Sequence, residues 1–118
     1  MPKVKIKKHY HRKLVRDRIP EIIESKGDLY KARILKMREY RKILRKKLVE
    51  EAKELENVRK TDLIKELADI LQVLKSIAEL EKVPFKKIED KRKQRKRERG
   101  GFRKKIFLIW SNKPAGEK

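Results

Sequence analysis

Apolar residues recur in steps of three and four from Tyr30 through Ile34, Met37, Tyr40, Ile43, Leu44, Leu48 and Ala52 to Leu55. That period is one helix face turned toward a core. Asp28 is a good capping residue, and Asn57 and Lys60 mark a turn. The spacing therefore predicts a helix from 28 to about 58, roughly 45 Å long. Thr61 offers an N-cap to a second, more apolar helix from Asp62 to about Glu81. Its apolar residues include Leu63, Ile64, Leu67, Ile70, Leu71, Val73, Leu74, Ile77 and Leu80, and they cover well over half its circumference. Such a helix must be covered on more than one side. Two long helices joined by a tight turn make an antiparallel hairpin, and a hairpin alone cannot bury that surface. The expectation is an all-α fold in which two copies of the chain build a four-helix core.

Shorter elements flank the hairpin. Pro20 suits a first helical turn, Glu21 and Glu24 suit its positive end, and Gly27 suits a left-handed stop, which predicts a helix at about 20 to 26. Pro84 opens a third helix, FKKIEDKRKQRKRER, apolar at Phe85 and Ile88 and then a basic rod up to Gly100-Gly101. Phe102 and Ile106 to Trp110 form an apolar tail segment, expected to pack back as a strand or extended stretch. Residues 1–12 read as a basic arm, with an edge strand at Val4 and Ile6 as the alternative, and 111–118 as a loose tail. The whole of 1–118 reads as a single domain.

Composition narrows the function classes. Charged residues make up 47% of the 118 and apolar ones 37%, and the formal net charge is +20. Such a surface favours anionic partners, nucleotides or nucleic acid, unless lysine is simply how this chain is solvated. From Lys91 to Arg99, seven of nine residues are basic. With no groove-reading motif and no aromatic set of the RNA-binding kind, nucleic-acid binding there would be independent of sequence. The chain has no cysteine, which excludes disulfides, thiolate catalysis and cysteine zinc sites. No apolar run approaches the ~18 residues that span a bilayer, and the basic N-terminus has no hydrophobic signal core, so a cytoplasmic location is the default. Two Gln and two Asn beside abundant Lys, Arg and Glu resemble hyperthermophile usage.

Against this basic background, residues 50–69 hold seven acids and four bases, a local charge of −3. Glu51 and Glu54 are three apart on the first long helix, and Glu66 and Asp69 are three apart on the second, so each pair shares a face. Facing pairs would make a cage of four carboxylates suited to Mg²⁺ or Mn²⁺. The competing account is surface charge, with Lys46 and Lys47 four residues before Glu50 and Glu51. Asp69 argues against it: aspartate is a poor mid-helix residue, yet here it stands beside Ala68 and Ile70 in the most apolar helix.

Three stretches in order resemble the small single-domain members of the MazG-like all-α nucleoside triphosphate pyrophosphohydrolases. They are KLVRDRIPEII (Lys13 to Ile23), Glu50-Glu51-x-x-Glu54 followed by Glu66-x-x-Asp69, and ERGGFRKKIFL (Glu98 to Leu108). Phosphoribosyl-ATP pyrophosphohydrolase, of histidine synthesis, shares that family's fold. The resemblance covers roughly residues 12 to 110. It implies a helical dimer that hydrolyses a nucleotide between its α- and β-phosphates in a house-cleaning role. Glu51, Glu54, Glu66 and Asp69 would then be the metal ligands, and Glu50 either a helper behind those ligands or a water-orienting base. Around them, Lys47, Arg16, Arg18 and Arg99 are candidates for phosphate. An ion pair within Arg16-Asp17-Arg18 and simple partnership of Lys47 and Lys53 with the glutamates are the alternatives. His9 and His11 read as solvated arm residues. Tyr30, Tyr40, Phe102 and Trp110 are the aromatics that could stack on a base or pack in the core. The third helix is more basic than the family pattern requires.

Overall fold

The computed structural model describes residues 5–114. Among them every regular element is helical: α1 (Ile19–Ser25), α2 (Met37–Glu56), a 3-10 turn (Lys60–Asp62), α3 (Leu63–Leu80) and α4 (Phe85–Arg99). The chain divides into two units between Lys82 and Val83. The first is built on α2 packed against α3, with α1 preceding them.

The predicted short helix forms as α1, with Pro20 in its first turn. Gly27, at φ +75°, carries the chain out in the left-handed region that glycine tolerates best. Its N–H donates to the Glu24 carbonyl at 2.9 Å and the Asp28 N–H to the Ile23 carbonyl at 3.2 Å, the paired bonds of a Schellman stop.

That stop explains a correction. Asp28 does not cap the first long helix, because its backbone already closes α1. α2 begins nine residues later than expected, at Met37. The intervening strap is tied at both ends: the Tyr30 hydroxyl donates to Glu24 at 3.0 Å, and the Arg33 guanidinium grips Glu39 in the first turn of α2 at 2.8 and 3.1 Å. These contacts hold the Tyr30 hydroxyl and the Arg33 guanidinium above their ordinary pKa and Glu39 below its own. Ile34, counted as part of the helical stripe, is 96% exposed. A helix needs a packed face more than it needs periodicity, and α3 is only 18 residues long. α2, at 20 residues, matches it, so the hairpin is about 30 Å long rather than 45 Å.

The two helices close a thin core. Leu44 of α2 and Val73 and Ala78 of α3 are buried, with Ile43, Leu48, Leu55, Ile70 and Ile77 half-buried around them. Tyr40 is half-buried too and belongs to this packing. At the open end of the hairpin, Arg41 donates to Glu81 at 2.7 Å and Arg45 lies 3.5 Å from the same carboxylate, holding its pKa below the usual range. At the closed end Thr61 lies inside the 3-10 turn, and Asp62 takes the cap position of α3 without a side-chain cap bond. The other face of α3 carries an exposed stripe, Ile64, Leu67, Leu71 and Leu74, at helical spacing.

In the second unit Pro84 precedes α4, and Gly100, at φ +83°, ends it. The segment beyond is not a strand. The Lys105 N–H donates to the Phe102 carbonyl at 3.0 Å, with Lys105 itself left-handed at φ 59°. This turn separates Phe102 from Ile106–Trp110, and all of these apolar side chains are exposed. The expected packing of Phe102 and Trp110 into a core is therefore not formed. In the basic arm, residues 5–12 carry no regular structure and are exposed, His9 and His11 included. Val4 and residues 115–118 of the tail lie outside the described residues. No helix of the described residues is long and apolar enough to cross a membrane.

Candidate metal centre

Glu51 stands near the C-terminal end of α2, and Glu66 and Asp69 stand on the first two turns of α3. The short connection between the helices brings them together. One carboxylate oxygen from each of the three lies within 4.8 Å of the others. Glu51 and Glu66 are 8% and 6% exposed, unusual for carboxylates, and Asp69 is half-buried.

The electrostatics are unfavourable for the protein alone. Glu66 Oε1 is shut off from water and has no hydrogen-bond partner. With both ionised, Glu51 and Glu66 have no proton between them and only repel. Glu66 is accordingly pushed up to about 7, first by the hydrogen bond shared with Glu51, then by removal from water, then by the charges of Glu51, Glu54 and Asp69. Part of the charge is answered by cations around the rim. Lys47 lies 3.4 Å from Glu51, Lys65 3.6 Å from Asp69, and the Arg16 guanidinium donates to Asp69 at 2.7 Å from 53 residues away in sequence. None of these three contacts involves Glu66.

The other expected site residues fall in different places. Glu54 is exposed and outside the group of three, though its charge still acts on Glu66. Glu50 is exposed, 3.9 Å from Lys47. Arg18 grips Glu21 at 3.2 and 3.3 Å, so the pairing within Arg16-Asp17-Arg18 is replaced by two longer-range contacts. Arg99 ends α4 in the second unit. Lys65 was not singled out from the sequence, although its position four residues before Asp69 was the available signal. Two surface depressions of about 440 and 390 Å³ lie around Asp28 and Leu29, and neither is lined by a residue of the acidic cluster.

Three carboxylates so placed fit a divalent ion. Oxygens about 2.1 Å from an octahedral Mg²⁺ stand roughly 3 to 4.2 Å apart, comparable with the 4.8 Å within which these three oxygens lie. An oxygen-only donor set suits Mg²⁺ or Mn²⁺ and disfavours softer metals. Such an ion would answer the buried Glu66 carboxylate, whose Oε1 has no hydrogen-bond partner. Compared with known proteins, the chain matches no family model, no curated protein and no solved structure.

Proposed function

We propose that this protein is a metal-dependent nucleotide pyrophosphohydrolase of the MazG-like kind, cleaving nucleoside triphosphates to monophosphate and pyrophosphate. The observation that carries the proposal is the buried Glu66 carboxylate, unpartnered at Oε1 and facing two further acids within a protein of net charge +20. Glu51, Glu66 and Asp69 would hold Mg²⁺ or Mn²⁺, and Glu54, one turn along α2 from Glu51, would join them by turning inward. Bound there, the ion would offset the repulsion between a triphosphate and the carboxylates and would acidify a water for attack on phosphorus. The chain's own contribution is positioning and charge. Glu51 and Glu66 are fixed by burial on two packed helices. Lys47 holds Glu51 in place, and Glu50, exposed one residue away, is the group left to accept a proton from water. House-cleaning of aberrant nucleotides is the role the family resemblance suggests, with phosphoribosyl-ATP hydrolysis as the variant activity.

The same reading takes the protein as a homodimer. The stripe Ile64, Leu67, Leu71 and Leu74 is uncovered, with Ile64 84% exposed, and a second copy packing there would complete a four-helix core. A second functional reading rests on α4, whose bases spread over about 240° of the circumference between Lys91 and Arg99. A helix basic on most sides suits a phosphate-lined groove better than a flat surface, in keeping with sequence-independent nucleic-acid binding. It leaves the acidic cluster without a purpose.

The deciding assay is pyrophosphate release from standard and damaged nucleoside triphosphates with Mg²⁺ or Mn²⁺. We expect Asp69→Asn and Glu54→Gln to abolish release with helicity unchanged. Undiminished turnover in both variants, or no release from any nucleotide by the wild type, would reject the proposal.

A further inference from the structure

Of the three cations around the cluster, Lys47 and Lys65 belong to the same helices as the acids they meet, four residues away. Arg16 is different. It comes from the irregular segment before α1, and its bond to Asp69 at 2.7 Å is the closest of the three. The Arg16 backbone is fixed separately, because its carbonyl accepts from the Ile19 N–H at 3.1 Å in the turn that opens α1. The side chain is more than half exposed. Its guanidinium can therefore leave Asp69 by side-chain rotation while the backbone stays beside the hairpin.

Asp69 has two oxygens, and both face cations: Oδ1 bonds Arg16 and Oδ2 lies 3.6 Å from Lys65. A divalent ion held by Glu51, Glu66 and Asp69 would draw on the same carboxylate and would repel the guanidinium across it. A nucleotide phosphate on that ion would offer the planar fork a new, two-pronged acceptor a short distance away. We infer that Arg16 is a displaceable counter-ion: it neutralises Asp69 while the metal site is empty, gives way to the metal, and then binds the phosphate of the incoming nucleotide. This rests on the metal-dependent reading above and adds to it a specific residue, its resting partner and an order of exchange.

The inference predicts a reversal of sign that a merely structural ion pair would not produce. Mn²⁺ binding to the full chain is followed by electron paramagnetic resonance, alone and with adenosine α,β-methylene-triphosphate. Without nucleotide, Arg16→Ala is expected to bind Mn²⁺ about three- to tenfold more tightly than the wild type, because a competing charge is gone. With Mn²⁺ saturating, the same variant is expected to bind the analogue about tenfold or more weakly, the loss of a charge-assisted fork. Arg16→Lys keeps the charge without the fork and is expected to match the wild type for Mn²⁺ while binding the analogue weakly. Circular dichroism checks that the exposed substitutions leave the helices intact. If the wild type binds Mn²⁺ but Arg16→Ala binds it equally or more weakly, or holds the analogue undiminished, the exchange is wrong and the metal site stands. If the wild type takes up no Mn²⁺ at millimolar concentration, the metal site fails and the exchange with it.

Discussion

Replacing Glu66 by Gln tests the centre of the site most directly, because it removes the charge while preserving shape. In the folded protein Glu66 titrates at about 7, against 4.5 for the ordinary side chain. Between those values the folded state holds a proton that the unfolded chain has released, so this group's contribution to stability falls as pH rises from about 4.5 to 7 and is level above. An ion bound there must displace that proton. For a group titrating at 7, about 0.9 proton should be released per ion at pH 6, about 0.5 at pH 7 and about 0.1 at pH 8. The apparent affinity for Mn²⁺ should correspondingly be about tenfold weaker at pH 6 than at pH 8. Calorimetry in buffers of different ionisation enthalpy reads the proton count directly. In Glu66→Gln the release should vanish and Mn²⁺ binding should be lost. The metal-free variant should melt about as high as the wild type near pH 4, where Glu66 is protonated folded and unfolded alike, and increasingly higher as pH rises to 7 and above, since an amide can donate to Glu51 where a carboxylate repels it. Comparison with the wild type isolates this group from Glu39 and Glu81, whose depressed pKa values make their ion pairs weaken in acid. Proton release below 0.1 at pH 6, or unchanged Mn²⁺ affinity in the variant, would refute the reasoning.

Two other perturbations separate the fold from its assembly. Leu44 is 4% exposed, and cutting it to Ala in so thin a core should cost about 2 to 4 kcal/mol and lower the melting temperature by roughly 10 to 20 °C, followed by circular dichroism. A loss under 3 °C would mean that the α2–α3 interface closes over the gap. Leu71 lies in the uncovered stripe of α3, so Leu71→Glu should convert a dimer to a monomer in light scattering at micromolar concentration. A wild type that is already monomeric there would contradict the four-helix assembly.

The hairpin was legible because two amphipathic stripes of helical period lie either side of a short polar break, and period alone specifies which faces meet. α4 was legible from Pro84 and Gly100, and α1 from Pro20 and Gly27, since those residues act through local backbone geometry. The start of α2 was not. Tyr30, Ile34 and Met37 continue the stripe in sequence, but Asp28 is taken up by the end of α1, and no part of the 18-residue α3 is left to cover an extension. The packing of the tail was not legible either: Phe102 and Ile106 to Trp110 are apolar enough for a strand or extended stretch laid against a core, but the turn at Lys105 divides them and their side chains are exposed.

For the site, spacing by itself determined that Glu51, Glu54, Glu66 and Asp69 would fall in pairs on two neighbouring helices, because a helix repeats its face every three to four residues whatever surrounds it. Which of them meet was decided only by tertiary packing. Depth in the hairpin left Glu54 in solvent, buried Glu51 and Glu66, and carried Arg16 across 53 residues to Asp69. Burial and long-range pairing depend on where separate segments come to rest against each other, and local periodicity carries no record of that.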